Sequence, residues 1–140
     1  MSTTFQDIKA WRKSYEFVLE VYRLTRRFPV EEKFALCQQF QRAAVSIVAN
    51  IAEGYKKLGK ADKLRFMNIA QGSLEECRCY VILSKDLGYI TVAEYVSLYQ
   101  IIEEARKRLN AYCRAIANST YAGSMSRLGV CRHSVFIYGT

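Results

Sequence analysis

Apolar positions from Ile8 to Ile116 recur at intervals of three and four, the period of helices packed on one side. Ile8, Trp11, Tyr15, Val18 and Tyr22 form one stripe, and Phe17, Val21, Leu24 and Phe28 form a second beside it. Together they predict a first helix that buries a wide face, with Thr4 placed to cap it and Asp7 three residues on. Pro29, the only proline, must stop or kink that helix. A second helix is predicted from about Glu32 to Leu58, with Cys37, Phe40, Ala44, Ile47 and Ile51 inward and Gly59 as its break. A third runs from about Ala61 to Leu87, with Leu64, Met67, Leu74, Cys77 and Val81 inward and Gly88 as its C-terminal stop. Thr91-Val-Ala-Glu94 reads as a capping box opening a fourth, whose Tyr95, Leu98, Ile102, Ala105, Leu109, Tyr112 and Ile116 keep a heptad-like alternation.

Short links force sequential helices to be antiparallel, so the expected fold is all-α: an up-down-up-down four-helix bundle over residues 1–118. Residues 119–140 lose the repeat, carry three glycines and no acid, and read as an irregular tail. Val135-Phe-Ile-Tyr138 at its end fits a short strand or a frayed terminus. The chain has 140 residues, 51% of them hydrophobic, enough for one domain with a core that needs no staples. The odd set of five cysteines, Cys37, Cys77, Cys79, Cys113 and Cys131, contains no C-x-x-C pair. Reduced thiols in a cytoplasmic protein are the expectation, with no disulfide framework and no zinc site. The polar N-terminus resembles no signal peptide, and no apolar run approaches the ~20 residues of a membrane span.

One polar stripe interrupts the second helix. Arg42, Ser46, Asn50 and Glu53 follow at spacings of four, four and three and share a face beside the apolar one. Two readings fit. Either the four satisfy one another in the bundle or across a subunit boundary, or they line a binding site; Gly72-Ser73 on the third helix suggests a close backbone approach that favours the first.

Charge adds a second feature. Lys plus Arg number 21 against 13 Asp plus Glu, a net charge of +8, which suits phosphate-rich partners. Lys56, Lys57, Lys60 and Lys63 surround the second link, and Arg106, Lys107, Arg108 and Arg114 lie late in the fourth helix. In an antiparallel bundle both groups fall near one end, so they form a candidate nucleic-acid surface; a merely solvated face is the alternative. Tyr55, beside the lysines, is placed to stack a base or to pack. No RNP, KH or helix-turn-helix signature accompanies them.

Enzyme signatures are missing. The single histidine, His133, lies in the tail, so neither a Ser/His/Asp nor a Cys/His arrangement has a positioned base, and a di-iron bundle lacks its Glu-x-x-His motifs. Neither phosphate-cradling glycine loop is present. Glu53, Glu75 and Glu76 are expected to face solvent or pair with Arg42, Arg65 and Arg78. The expectation is a non-enzymatic chain with no metal and no cofactor.

The order Phe28-Pro29, Glu32, Phe34, Gln39, Arg42-Ala-Ala-Val-Ser-Ile47, Asn50-Ile-Ala-Glu-Gly54, Arg65-Phe66, Ile69-Ala70, Gly72-Ser73, Glu76 and Leu87-Gly-Tyr89 resembles the four-helix-bundle family first described as ribosomal RNA intervening-sequence proteins. The likeness covers roughly residues 5–117. That family includes the accessory variability determinant proteins of diversity-generating retroelements. Resemblance to those implies a ring-shaped homopentamer of bundles with a basic surface. It implies partners too: a reverse transcriptase and its template RNA or RNA/DNA hybrid, in support of template-primed cDNA synthesis. An oligomeric protein-interaction scaffold without RNA is the alternative the family allows. The chain departs from the pattern at Gln41 and Gln71, where arginine-like residues are common, and in the tail.

Overall fold

A computed structural model of the protein describes residues 4–119; the tail and its Val135-Phe-Ile-Tyr138 segment lie outside the described residues. Four helices make up the fold: α1 (Lys9–Thr25), α2 (Leu36–Lys56), α3 (Lys60–Asp86) and α4 (Val92–Ala117). Helix α1 packs on α2 and α4, and α3 packs on the same two, so sequential neighbours close a square and each diagonal is left without major contact. This is the antiparallel up-down bundle expected from the short links.

The core is the set of inward stripes. Phe17, Phe40, Ile47, Ile51, Met67, Leu74, Leu98, Ile102 and Leu109 are its largest fully buried side chains. All five inward positions expected on α2 are buried, and so are four of the five on α3; Leu64, near the end of the bundle, is half-buried. On α1 the two stripes separate. Phe17, Val21, Leu24 and Phe28 are buried, whereas in the other stripe only Ile8 and Val18 are; Trp11 is half-buried, and Tyr15 and Tyr22 are exposed together with Leu19. A bundle of four can cover only one side of each helix, so the remaining face of α1 stays outside, with Trp11 and Tyr15 stacked on each other at a 4.8 Å centroid separation.

Two helix starts differ from the sequence pattern. Thr4 precedes a 3-10 turn, Phe5–Asp7, and makes no side-chain cap; α1 begins after Ile8, also uncapped. Helix α2 begins four residues later than Glu32, because Val30–Glu32 forms a 3-10 turn after Pro29. Glu32 nevertheless determines where α2 starts. Its Oε1 accepts from the Leu36 backbone N–H at 3.3 Å, supplying the cap that Ala35 lacks, and its Oε2 accepts from Tyr89 Oη at 2.7 Å. That second bond ties the α1–α2 link to the α3–α4 link.

The other ends follow the chain closely. After α3, Gly88 takes φ of +77°, Tyr89 N–H donates to Ser84 O and Gly88 N–H to Lys85 O, the paired bonds of a Schellman stop. Helix α4 opens with both bonds of the capping box, Glu94 N–H to Thr91 Oγ1 at 3.1 Å and Thr91 N–H to Glu94 Oε1 at 2.9 Å. Arg27, just past α1, pairs with that same Glu94, which places the end of α1 beside the start of α4.

Candidate nucleic-acid interface

The topology brings the second link, Lys57 to Gly59, to the same end as the last turns of α4: Cys113 shares a cavity of about 690 Å³ with Ala61, Asp62, Leu64 and Arg65 of α3. Charge divides unevenly along the bundle. In the half nearer that link lie Lys9, Arg12, Lys13, Lys56, Lys57, Lys60, Lys63, Arg65, Arg106, Lys107, Arg108 and Arg114, against Asp7, Glu16, Glu53 and Asp62. The opposite half holds Arg23, Arg26, Arg27, Lys33, Arg42, Arg78 and Lys85, against seven carboxylates, and Glu103 and Glu104 stand at the boundary, bonded to Arg106 and Arg108. The positive charge of the helical region therefore belongs to one end.

Within that end the candidate residues are not equivalent. Lys56 is exposed and Lys57 half-exposed, its Nζ 5.0 Å from the Phe66 ring centroid, where Arg65 also sits at 4.7 Å. Lys60 and Lys63 do not serve as free surface cations. Lys60 falls on the inward stripe of α3, four positions before Leu64, and is only 4% exposed, so its stem covers the end of the core. Lys63 Nζ donates to Tyr55 O at 2.6 Å, capping one of the last carbonyls of α2, and burial holds its ammonium below the usual lysine range. Tyr55 itself is half-buried against the core, with Lys63 Nζ 5.5 Å from its ring, so packing, not base stacking, accounts for it.

The second group also splits. Lys107 and Arg114 are exposed, while Arg106 donates to Glu103 at 2.6 Å and Arg108 to Glu104 at 2.7 Å. The hydrogen bond that Arg106 donates to Glu103 raises the Arg106 guanidinium and lowers the Glu103 carboxyl from their ordinary values. The most freely presented cations are thus Lys56, Lys57, Lys107 and Arg114, joined by Arg65, expected as a partner for Glu53, Glu75 or Glu76, which instead stands one turn from Asp62. That pair is loose, at 3.6 Å with both side chains more than half exposed.

The polar stripe of α2 breaks in the middle. Ser46 Oγ meets Ser73 Oγ across the α2–α3 interface at 2.8 Å, and Asn50 Nδ2 donates to Ser46 O at 2.8 Å and to Ser46 Oγ at 3.0 Å. Those three form an interhelical clasp. Arg42 and Glu53 are both exposed and lie three turns apart, roughly 16 Å along one helix, so they cannot pair within a chain. Arg42 instead edges a groove of about 330 Å³ with Gln39, Ser46, Ser73, Glu76 and Tyr80. There Tyr80 Oη donates to Glu76 at 2.7 Å, which pushes its phenol up to about 12. Of the expected carboxylate pairs, Glu75 with Arg78 is present at 2.9 Å. The close backbone approach is also elsewhere: Gly72 is exposed with open space around it, whereas Gly54 lies against Phe66 and Met67.

Among the described residues no cluster of three or more His, Cys, Asp or Glu is arranged to hold a metal ion, and no helix is long and apolar enough to cross a membrane. The model of the 23S rRNA-intervening sequence protein family matches residues 6–111. The chain belongs to that family. Among solved structures it is similar to a protein of unknown function from the S23 ribosomal protein family of Bacteroides thetaiotaomicron. The two are 29% identical, with a TM-score of 0.69 over 75% of this chain and 95% of that one. No curated protein matches the chain. Several residues of the order that carries the resemblance have structural roles in this chain: Glu32 and Tyr89 join the two links of one end, Ser46, Asn50 and Ser73 clasp α2 to α3, and Gly54 lets those helices touch.

Proposed function

We propose that this 23S rRNA-intervening sequence protein is a non-enzymatic, oligomeric RNA-binding scaffold in which one basic end of each bundle contacts phosphates. The observation that carries the reading is the segregation of charge, with the free cations Lys56, Lys57, Arg65, Lys107 and Arg114 gathered toward the α2–α3 link end. Lysines and arginines on a helical surface hold phosphate oxygens without reading bases, and a ring of copies multiplies contacts that are weak singly. Assembly is supported by the outer stripe of α1: Tyr15, Leu19 and Tyr22, with the half-buried Trp11 beside them, form an apolar strip at helical spacing that the bundle leaves largely uncovered. A homopentamer working with a reverse transcriptase on its template RNA is the fullest form of this reading; a protein-interaction scaffold without RNA is its competitor.

The decisive experiment is RNA binding as a function of salt, with native protein and a variant carrying Lys56→Glu, Lys57→Glu, Arg65→Glu and Arg114→Glu. Lys60 is left intact because it closes the core. Affinity of the native protein should fall log-linearly with salt, and the reversal should remove most of it while the helical circular-dichroism signal is kept. Binding that survives the reversal places the RNA surface elsewhere and overturns the role of this end, and no binding at low salt with reverse transcriptase present favours the scaffold. Light scattering tests assembly separately: a mass near five times 16.1 kDa is expected, and a clean monomer rejects the ring.

A further inference from the structure

A second site lies on the flank of the bundle. Between α3 and α4 a cavity of about 200 Å³ has Leu74 and Leu109 as its floor, each 1% exposed, and Gln71, Asn110, Arg78 and Arg106 among its walls. This is several times the ~30 Å³ share of one water and below the roughly 300–1,000 Å³ of sites for whole drug-sized ligands, so it suits one flat fragment.

The charges around it are paired, with one donor left over: Arg78 Nε is buried and has no hydrogen-bond partner among the described residues. Arg78 donates to Glu75 at 2.9 Å and to Tyr99 Oη at 3.2 Å, and Arg106 donates to Glu103 at 2.6 Å. A bare phosphate would meet two guanidiniums whose carboxylates are in place. The amides are different. Gln71 Nε2 donates to Asn110 Oδ1 at 2.9 Å across the helix interface, and this bond uses only half of each amide. Gln71 Oε1 and Asn110 Nδ2 make no other bond among the described residues, and neither is sealed from solvent. The two amides that line the cavity thus keep one acceptor and one donor unused, next to the nearly covered Leu74 and Leu109. Flipping both amides exchanges the two and still leaves one of each.

We propose that this cavity takes one unpaired nucleobase. A base edge presents adjacent donors and acceptors on a flat ring with apolar faces, and unpaired bases of single-stranded RNA are read through such edges. Gln71 lines both this cavity and the one that Arg65 and Cys113 share at the basic end, so a strand held there by its phosphates passes the site. The inference rests on the RNA-binding reading for the source of the base, and it adds to it a sequence preference that phosphate contacts alone do not give.

Saturation-transfer NMR with free adenosine, guanosine, cytidine and uridine tests the cavity without phosphates, using the full-length protein. At least one nucleoside should receive saturation more strongly at its base protons than at its ribose. Gln71→Glu keeps the interhelical bond, its carboxylate accepting from Asn110 Nδ2, but turns the acceptor–donor pair into two acceptors. It should weaken that nucleoside's binding roughly tenfold, as should Asn110→Leu, with unchanged helicity. Absence of transfer to all four nucleosides overturns the proposal, as does transfer that both variants leave unchanged. Transfer to N-acetylglutamate where nucleosides show none would assign the cavity to an acidic side chain and also overturn it. The charge-reversal variant separates the two readings: it should lose RNA binding and keep the nucleoside signal. A native protein that binds the nucleoside but no RNA rejects the RNA scaffold and leaves the cavity standing.

Discussion

Replacing Gly54 by alanine should destabilise the bundle, although alanine is the better helix former. Gly54 is buried near the end of α2, facing α3. A Cβ there would stand 2.5 Å from Met67 Cε and 2.9 Å from Phe66 Cβ. The methionine methyl can swing away; the Phe66 Cβ is fixed to the α3 backbone, so the helices themselves must part. Removing a glycine from a helix interior gains about 0.5–1 kcal/mol, while forcing a methyl into a packed interface costs about 1–3 kcal/mol, giving a net loss of about 1 kcal/mol. Gly72 is the internal control. It is mid-helix in α3 with no heavy atom within 4 Å of its would-be Cβ, so Gly72→Ala should gain the full 0.5–1 kcal/mol, roughly. The two variants should therefore differ by about 1.5–2 kcal/mol with opposite signs. For a slope near 2 kcal/mol/M, their urea midpoints should stand about 1 M apart at matched protomer concentration. If both midpoints rise by similar amounts, Gly54 is not a close-approach position and the packing argument for α2 on α3 is wrong.

Glu53→Ala should change stability by less than about 0.5 kcal/mol, because Glu53 is exposed and has no ion-pair partner among the described residues; a loss of several kcal/mol would mean that a neighbouring subunit buries it. The Glu94 carboxyl is held below its ordinary range, first by the Thr91 backbone N–H and then by Arg27. A depressed carboxylate stabilises the fold above its unfolded value and loses that contribution as pH falls through the folded one. The stability difference between native protein and Glu94→Gln should thus be greatest near neutrality and close below about pH 4; urea melts showing a constant gap from pH 7 to 3 would contradict it. Cys77 is fully buried, and burial raises its thiol well above the ordinary cysteine range, whereas Cys79 is exposed. Mass-spectrometric mapping of maleimide labelling at pH 8 should find Cys79 modified in the native state and Cys77 only in denaturant.

Much of this protein is determined by its sequence alone. Inward positions at spacings of three and four mark the helices, Gly88 stops the third, and Thr91 with Glu94 starts the fourth, because each of these acts through neighbours within a turn or two of chain, whereas the first helix already ends at Thr25, ahead of Pro29. Short links then leave an antiparallel bundle as the only arrangement that buries all four stripes. Tertiary structure decided what depends on partners far along the chain. Only packing shows that Glu32 caps α2 and holds Tyr89, that Ser46 and Asn50 belong to a clasp with Ser73 while Arg42 and Glu53 do not, and that the tight glycine is Gly54 and not Gly72. The same holds for charge. Eight cations look alike in the sequence, yet Lys60 is drawn into the end of the core, Lys63 onto a helix carbonyl, and Arg106 and Arg108 onto carboxylates one turn away. Helical period says which face a side chain occupies, and only the neighbouring helix says whether that face meets water, a carbonyl or another side chain.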